Sequence, residues 1–308
     1  MGKINILSNI DKNYFNYYKV TITSILENSS HKKEICFYLV EKDLSNEQKK
    51  NLKEYVKKYG AKIIILPKPP FNFEDLQRET HMSEVTYYKT YYLGKIKEKK
   101  IIYTDPDVIF LADIKELFNF SLKNRTMGGI KDYAIGLRNG KDYINAGILL
   151  IDLNKWRKEA YSNKCLKELR ENPQEFFYAE QDLINKVLKG DITQLPLIWN
   201  RQKIMYDQTP ARLNISKDQY RNLLEHPKAI HYTGRIKPWH SKYIFPDKKY
   251  YLKYNKIAGI EKPYKTNYSL KENAWKFSRW FLYKTKTREF FELKILGPIY
   301  KIFSRKQK

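Results

Sequence analysis

Lys100-Ile101-Ile102-Tyr103-Thr104-Asp105-Pro106-Asp107-Val108-Ile109-Phe110 is the stretch on which the reading of the fold turns. The apolar run from Ile101 has the length and β-branched content of a buried strand. It stops at two aspartates separated by a proline, and a second apolar run follows. Carboxylates two positions apart at the mouth of a strand can converge on one divalent ion, and hard oxygen donors suit Mg²⁺ or Mn²⁺. Pro106 stiffens the loop by fixing its own φ. A chain with 14 Asp supplies about 0.6 such Asp-x-Asp pairs by chance, so the segment alone also reads as a capped loop with two solvated carboxylates.

Outward from this point, strand and helix patterns alternate. Towards the N-terminus, Ile4 to Leu7 reads as a strand, Ser8 to Asn13 as a polar turn and Tyr17 to Leu26 as a helix. Glu34 to Val40 is a second strand. Ser45 to Tyr59 is a polar helix with Asp43 or Ser45 as N-cap and Gly60 at its end. Lys62 to Leu66 is a third strand, stopped by Pro67 and the Pro69-Pro70 pair. Glu84 to Lys95 has helical spacing. In the other direction, Ala146 to Leu153 is a very apolar strand and Glu180 to Leu188 a helix. This rhythm predicts an α/β fold with a mostly parallel central sheet flanked by helices. Such sheets bind ligands beyond the carboxyl ends of their strands. There is no internal repeat, no G-x-G-x-x-G and no Walker loop, so the dinucleotide and ATP versions of the fold lose support.

Three further segments carry polar chemistry. In His231-Tyr232-Thr233-Gly234-Arg235-Ile236-Lys237-Pro238-Trp239, the imidazole could complete an Asp-Asp-His metal site, Gly234 allows close backbone approach to a phosphate, and Lys237 supplies charge. A lone His is more often structural. Asn145 stands at the mouth of the Ala146–Leu153 strand, with Ala146 and Gly147 leaving room for a ligand; a tight turn into a core strand reads equally well. Glu180-Gln181-Asp182 opens a helix, where acids also serve to complement the helix dipole.

The four segments, in this order and spacing, resemble glycosyltransferase family 8, which includes bacterial lipopolysaccharide and lipooligosaccharide galactosyl- and glucosyltransferases and glycogenin. The resemblance runs from about Ile4 to about His240. It implies a GT-A fold, a UDP-glucose or UDP-galactose donor, Mn²⁺ (with Mg²⁺ as substitute), and retention at the anomeric carbon. It also implies roles. Asp105, Asp107 and His231 would hold the metal. Gly234 and Lys237 would face the donor diphosphate, and Thr104 and Pro106 would flank it beside Asp105. Asn145, Glu180 and Gln181 would contact the transferred sugar, with Gln181 near the reacting carbon. The segment from Ser8 through Asp11 and Asn13 to Tyr14 would grip uracil and ribose. Tyr87-Tyr88-Lys89 resembles the family's Tyr-Tyr-Arg motif, with Lys89 in place of the usual Arg and so without its bidentate geometry. Glu180 replaces a common Asp and reaches one methylene further.

Composition bounds the partners. The 308 residues carry 59 Lys+Arg against 34 Asp+Glu, a net charge of +25. Of the basic residues 47 are Lys and 12 Arg, and this ratio weakens a nucleic-acid reading, because base-edge and bidentate phosphate recognition favour Arg. No apolar run reaches the ~18 residues of a membrane span, and the start of the chain lacks a signal-peptide layout. Cys36 and Cys165 support neither a disulfide framework nor a zinc site, which suits a cytoplasmic protein. From Lys265 to Lys308 there are 12 basic and three acidic residues, interleaved with ten aromatics. Ala274, Trp275, Phe277, Trp280, Phe281 and Leu282 fall on one helical face. A basic, aromatic amphipathic helix reads as membrane-surface binding; a helix packed on the main domain is the alternative. The expected division is therefore a transferase domain over 1–255 and a basic helical tail over 256–308, peripheral on the inner face of the cell membrane. The expected acceptor is a cell-surface glycan or glycoconjugate, and no nucleic-acid partner is expected. The competing functions are a catalytically weak UDP-sugar-binding protein of the same fold and a basic nucleic-acid-binding protein.

Overall fold

In the computed structural model, which describes residues 3–70, 84–133, 142–243 and 245–260, ten strands form two sheets. The strands are β1 (Ile4–Asp11), β2 (Ile35–Lys42), β3 (Lys62–Leu66), β4 (Lys100–Thr104), β5 (Val108–Phe110), β6 (Met127–Lys131), β7 (Ile144–Asp152), β8 (Ile192–Gln194), β9 (Arg201–Gln202) and β10 (Ala229–His231). The helices that matter for packing are α1 (Phe15–Asn28), α2 (Asn46–Lys58), α3 (Tyr88–Tyr92), α4 (Ile114–Phe118), α5 (Leu153–Lys158), α6 (Tyr161–Glu171), α7 (Glu180–Val187) and, near the end of the described chain, α8 (Lys248–Ile257). The large sheet has the order β3-β2-β1-β4-β7-β6-β8, and every strand runs the same way except β7. The small sheet has the order β5-β10-β9.

The period-2 alternation of the strands divides the interior. Leu7, Tyr103 and Leu149 face one core with Trp156, Leu169 and Leu183 of α5–α7. Ile6, Ile102, Ile148 and Leu150 face the other, with Ile22 of α1, Leu52 of α2 and Leu117 of α4. A third, aromatic core of Tyr232, Trp239, Tyr243, Tyr251 and Tyr254 closes against Val20 of α1.

Two expectations about elements need correction. The polar turn placed from Ser8 is strand as far as Asp11, because the polar groups find partners inside the protein: Ser8 Oγ donates to the Thr104 carbonyl at 2.8 Å and Asn9 Nδ2 to the Val85 carbonyl at 3.1 Å. The helix expected over Glu84–Lys95 is a 3-10 turn, Glu84–Tyr87, followed by the short α3. Local punctuation held elsewhere: Ser45 caps α2 in a reciprocal pair with Gln48, and β3 spans Lys62–Leu66 as expected ahead of Pro67. Both cysteines are buried free thiols. Among the described residues no helix is long and apolar enough to cross a membrane. The basic tail from residue 261 onward lies outside the described residues.

Candidate active site

The single antiparallel strand makes the site. Thr104, at the carboxyl end of β4, pairs with Ile148, so the opening residues of β7 project past the same edge. Asp105 N–H donates to the Gly147 carbonyl at 2.9 Å, which places the Asp-Pro-Asp loop against Asn145-Ala146-Gly147. The chain then enters β5, which pairs antiparallel with β10; His231 pairs with Val108, and Tyr232 N–H donates to the Asp107 carbonyl at 3.1 Å. His231 is thereby delivered to both carboxylates, with Nε2 3.6 Å from Asp105 Oδ2 and 3.3 Å from Asp107 Oδ1.

The close approach depends on Gly147. A Cβ there would lie 2.1 Å from His231 Cε1 and 2.8 Å from Asp105 Oδ2. The room that the sequence reading reserved for a ligand behind Asn145 is filled, at Gly147, by the imidazole.

Electrostatics prepare the site for positive charge. Burial alone would raise the Asp107 pKa, but the Lys237 ammonium, hydrogen-bonded to Oδ2, and His231 outweigh it and hold the carboxyl well below the usual range. Asp107 Oδ1 is buried with no hydrogen-bond partner. Tyr103 O–H donates to Asp105 Oδ1 at 2.7 Å. Three hard or borderline donors within 4.8 Å of one another, one carrying an unused buried oxygen, fit a divalent ion of the Mg²⁺ or Mn²⁺ kind.

A polar wall adjoins these ligands. Gln181, in the first turn of α7, accepts through Oε1 from Asn145 Nδ2 (3.0 Å) and Ala146 N–H (3.1 Å). Its Nε2 faces Asp132 Oδ2 and the Tyr143 hydroxyl, each at 3.3 Å. Asn185 of α7 clamps Ile144 by both backbone groups, which fixes the helix to the mouth of β7. Ala179, just before α7, holds φ +50°, a left-handed conformation that costs an L-residue on the order of 1–3 kcal/mol; it turns the chain so that Glu180 and Gln181 both point inward. Glu180 meets the fully buried Lys89 ammonium at 2.9 Å. That ammonium also faces the Ala146 carbonyl at 3.3 Å and lies 3.8 Å over the Tyr103 ring. Burial raises the Glu180 pKa, and Lys89 opposes the shift.

The remaining candidates are placed as follows. Lys89 is spent on Glu180 under the wall rather than exposed toward a diphosphate. Lys237 reaches Asp107 and the Tyr232 carbonyl. Gly234 lies in the loop after β10 with φ +84°, which favours glycine. Ser8 is fully buried and bonded to Thr104, itself fully buried; the Pro106 carbonyl accepts from Thr21 Oγ1 at 2.7 Å. Asp11 caps the turn through Asn13 and Tyr14 N–H. Tyr14 is half-buried beside Trp239, which stacks on Tyr17 at 3.6 Å. Sequence reasoning missed Asp132, Tyr143, Asn200 and Gln202. Asn200 Nδ2 donates to Asn145 Oδ1 at 3.0 Å, and both amide atoms of the buried Gln202, abreast of His231, lack hydrogen-bond partners. Only an acid after a short glycine-bearing strand, Gly128-Gly129-Ile130-Lys131-Asp132, offered a local signal.

Comparison with known proteins agrees with this architecture. The chain is 28% identical over 277 residues to General stress protein A of Bacillus subtilis (strain 168), covering 84% of this chain and 96% of that protein. It is 26% identical over 275 residues to the Lipopolysaccharide 1,2-glucosyltransferase of Escherichia coli (strain K12), covering 85% and 79%. The crystal structure of the galactosyltransferase LgtC in complex with donor and acceptor sugar analogs has a TM-score of 0.70 at 23% identity, covering 88% of this chain and 99% of that one, and shows the same GT-A fold. The pattern of Glycosyl transferase family 8 matches residues 5–243. With the match covering most of its length, the chain belongs to glycosyltransferase family 8 and is a glycosyltransferase.

Proposed function

We propose that the protein moves a hexose from UDP-glucose or UDP-galactose to a saccharide acceptor of the lipopolysaccharide or related cell-surface class, with retention at the anomeric carbon. The observation that carries the reading is the convergence of Asp105, Asp107 and His231 with the Asn145–Gln181–Glu180 wall at one strand edge. The acceptor class rests on the relative from Escherichia coli, a lipopolysaccharide glucosyltransferase. A Mn²⁺ ion held by Asp105, Asp107 and His231 would supply positive charge to the departing nucleoside diphosphate. Lys237 and the backbone at Gly234 would add donors to the same phosphates. The Asn145–Gln181 pair would face the sugar. Gln181 is a neutral amide and a poor nucleophile, and Glu180 is committed to Lys89. The acceptor hydroxyl would therefore attack on the face the diphosphate leaves, its proton passing to the leaving phosphate oxygen. Trapping a glycosyl adduct on Glu180 or Asp182, detected by mass spectrometry, would replace this front-face path with a covalent one.

The test is a panel of UDP-sugars assayed for Mn²⁺-dependent UDP release. Release with UDP-glucose or UDP-galactose, well above the rest, is expected. Tight UDP-sugar binding without release would reduce the protein to a sugar-nucleotide binder, and no binding at all would remove the donor class.

The charge of the chain adds a proposal about place. The stretch from Lys265 carries a net +9 with ten aromatics, which supports association with an anionic membrane surface at the cytoplasmic face. A variant truncated after Tyr264 is expected to turn over soluble acceptors normally and to lose binding to anionic liposomes in a flotation assay. Undiminished flotation would refute the tail's role.

A further inference from the structure

Asn145 touches His231 as well as Gln181, and the contact has a direction. Asn145 Oδ1 accepts the Gly147 backbone N–H at 3.1 Å, a donor that cannot turn round, so this atom of the amide must be oxygen. The other end agrees: Nδ2 lies 3.0 Å from Asp132 Oδ2 and 3.0 Å from Gln181 Oε1. Gln181 Oε1 is fixed in turn by the Ala146 backbone N–H. Two main-chain donors thus orient both amides. His231 Nδ1 lies 3.0 Å from the oriented Asn145 oxygen. Two acceptors facing each other at that distance would repel, so Nδ1 carries the hydrogen. The lone pair then stands on Nε2, the atom aimed at Asp105 and Asp107. An imidazole with the opposite tautomer would present N–H to the position where a ligand lone pair is required.

We propose that Asn145 is a positioning residue for His231: its carbonyl oxygen, anchored by Gly147 and Asp132, holds the imidazole as the Nδ1–H tautomer and keeps Nε2 available as a metal ligand. The inference rests on the Asp105–Asp107–His231 metal reading for its consequence, but the tautomer itself is a property of the metal-free chain. It gives Asn145 a second task beside any contact with sugar.

The chain has five histidines, few enough for direct observation. In the full-length, metal-free protein labelled with ¹⁵N-histidine at about pH 8.5, where an ordinary imidazole is neutral, a long-range ¹H–¹⁵N correlation spectrum reports each tautomer. His231, identified by the signal absent from His231→Gln, is expected as Nδ1–H. Asn145→Asp keeps an oxygen at this position and is expected to keep that tautomer. Asn145→Ala is expected to release it and to raise the Mn²⁺ dissociation constant, followed by electron paramagnetic resonance of free Mn²⁺, by about 10–100-fold. A native His231 with Nε2–H would overturn the proposal even if Asn145→Ala failed to fold. Unchanged tautomer and Mn²⁺ affinity in a folded Asn145→Ala would do the same. Asp105→Ala separates the two readings: if it binds Mn²⁺ as tightly as the native chain, the metal site is wrong, whereas the spectrum of the metal-free protein judges Asn145 alone.

Discussion

Asp107→Ala is expected to lower Mn²⁺-dependent UDP release by about a thousandfold, with little loss of stability. A bound metal supplies several kcal/mol to charge developing on a leaving group, and ~4 kcal/mol corresponds to that factor. Asp107 is the ligand best prepared for the task. Its carboxyl is held ionised by Lys237 and His231 against the cost of burial, and one of its oxygens has no hydrogen-bond partner in the protein. The fold should survive, because the Lys237 side chain is 15% exposed and its flexible stem can turn the ammonium to water. Asp107→Asn preserves shape but not charge and should be nearly as inactive. The measurement is kcat/KM for UDP release alongside a thermal unfolding curve. Activity within tenfold of native in a folded Asp107→Ala protein would exclude this carboxylate from the metal site.

Lys89→Met should cost stability rather than only activity. The Lys89 side chain is 0% exposed and that of Glu180 8%. Removing one partner of such a pair leaves a buried charge uncompensated, a loss of about 3–5 kcal/mol. The pH dependence follows in sign. Burial already raises the Glu180 pKa and Lys89 restrains the rise. Without Lys89 the folded-state pKa climbs further above the unfolded value, so the folded state is penalised where unfolded Glu is ionised. The destabilisation should be largest near neutral pH and should shrink as pH falls toward about 4, where Glu180 is protonated in both states. Lys89→Met with Glu180→Gln, which removes both charges, should recover most of the loss. Urea midpoints at two pH values decide the matter. A penalty independent of pH, or a double variant no better than the single one, would show that Lys89 acts by packing against Tyr103 instead.

Elements announced by local chemistry were legible. The Ser45–Gln48 capping pair marks the start of α2, and Pro67 the end of β3. Elements whose polar residues are satisfied at long range were not. β1 runs on through Ser8 and Asn9 only because the Thr104 and Val85 carbonyls, more than 70 positions away, accept from their side chains. The reversed direction of β7 was equally hidden, since a strand buried on both faces is apolar throughout and carries no mark of its direction.

The sequence by itself determined the alternation of strands and helices, the Asp105-Pro106-Asp107 turn and the residue types that suit a hard cation, because periodicity, capping and ligand chemistry are local properties. Only the tertiary structure decided which side chains meet. It brought Lys237 to a carboxylate 130 positions distant, put Lys89 on Glu180, filled the space at Gly147 with an imidazole and recruited Asp132 and Asn200 to orient Asn145. Those outcomes depend on strand order, strand direction and register, which are set by the packing of whole faces and are not written in any one segment of the chain.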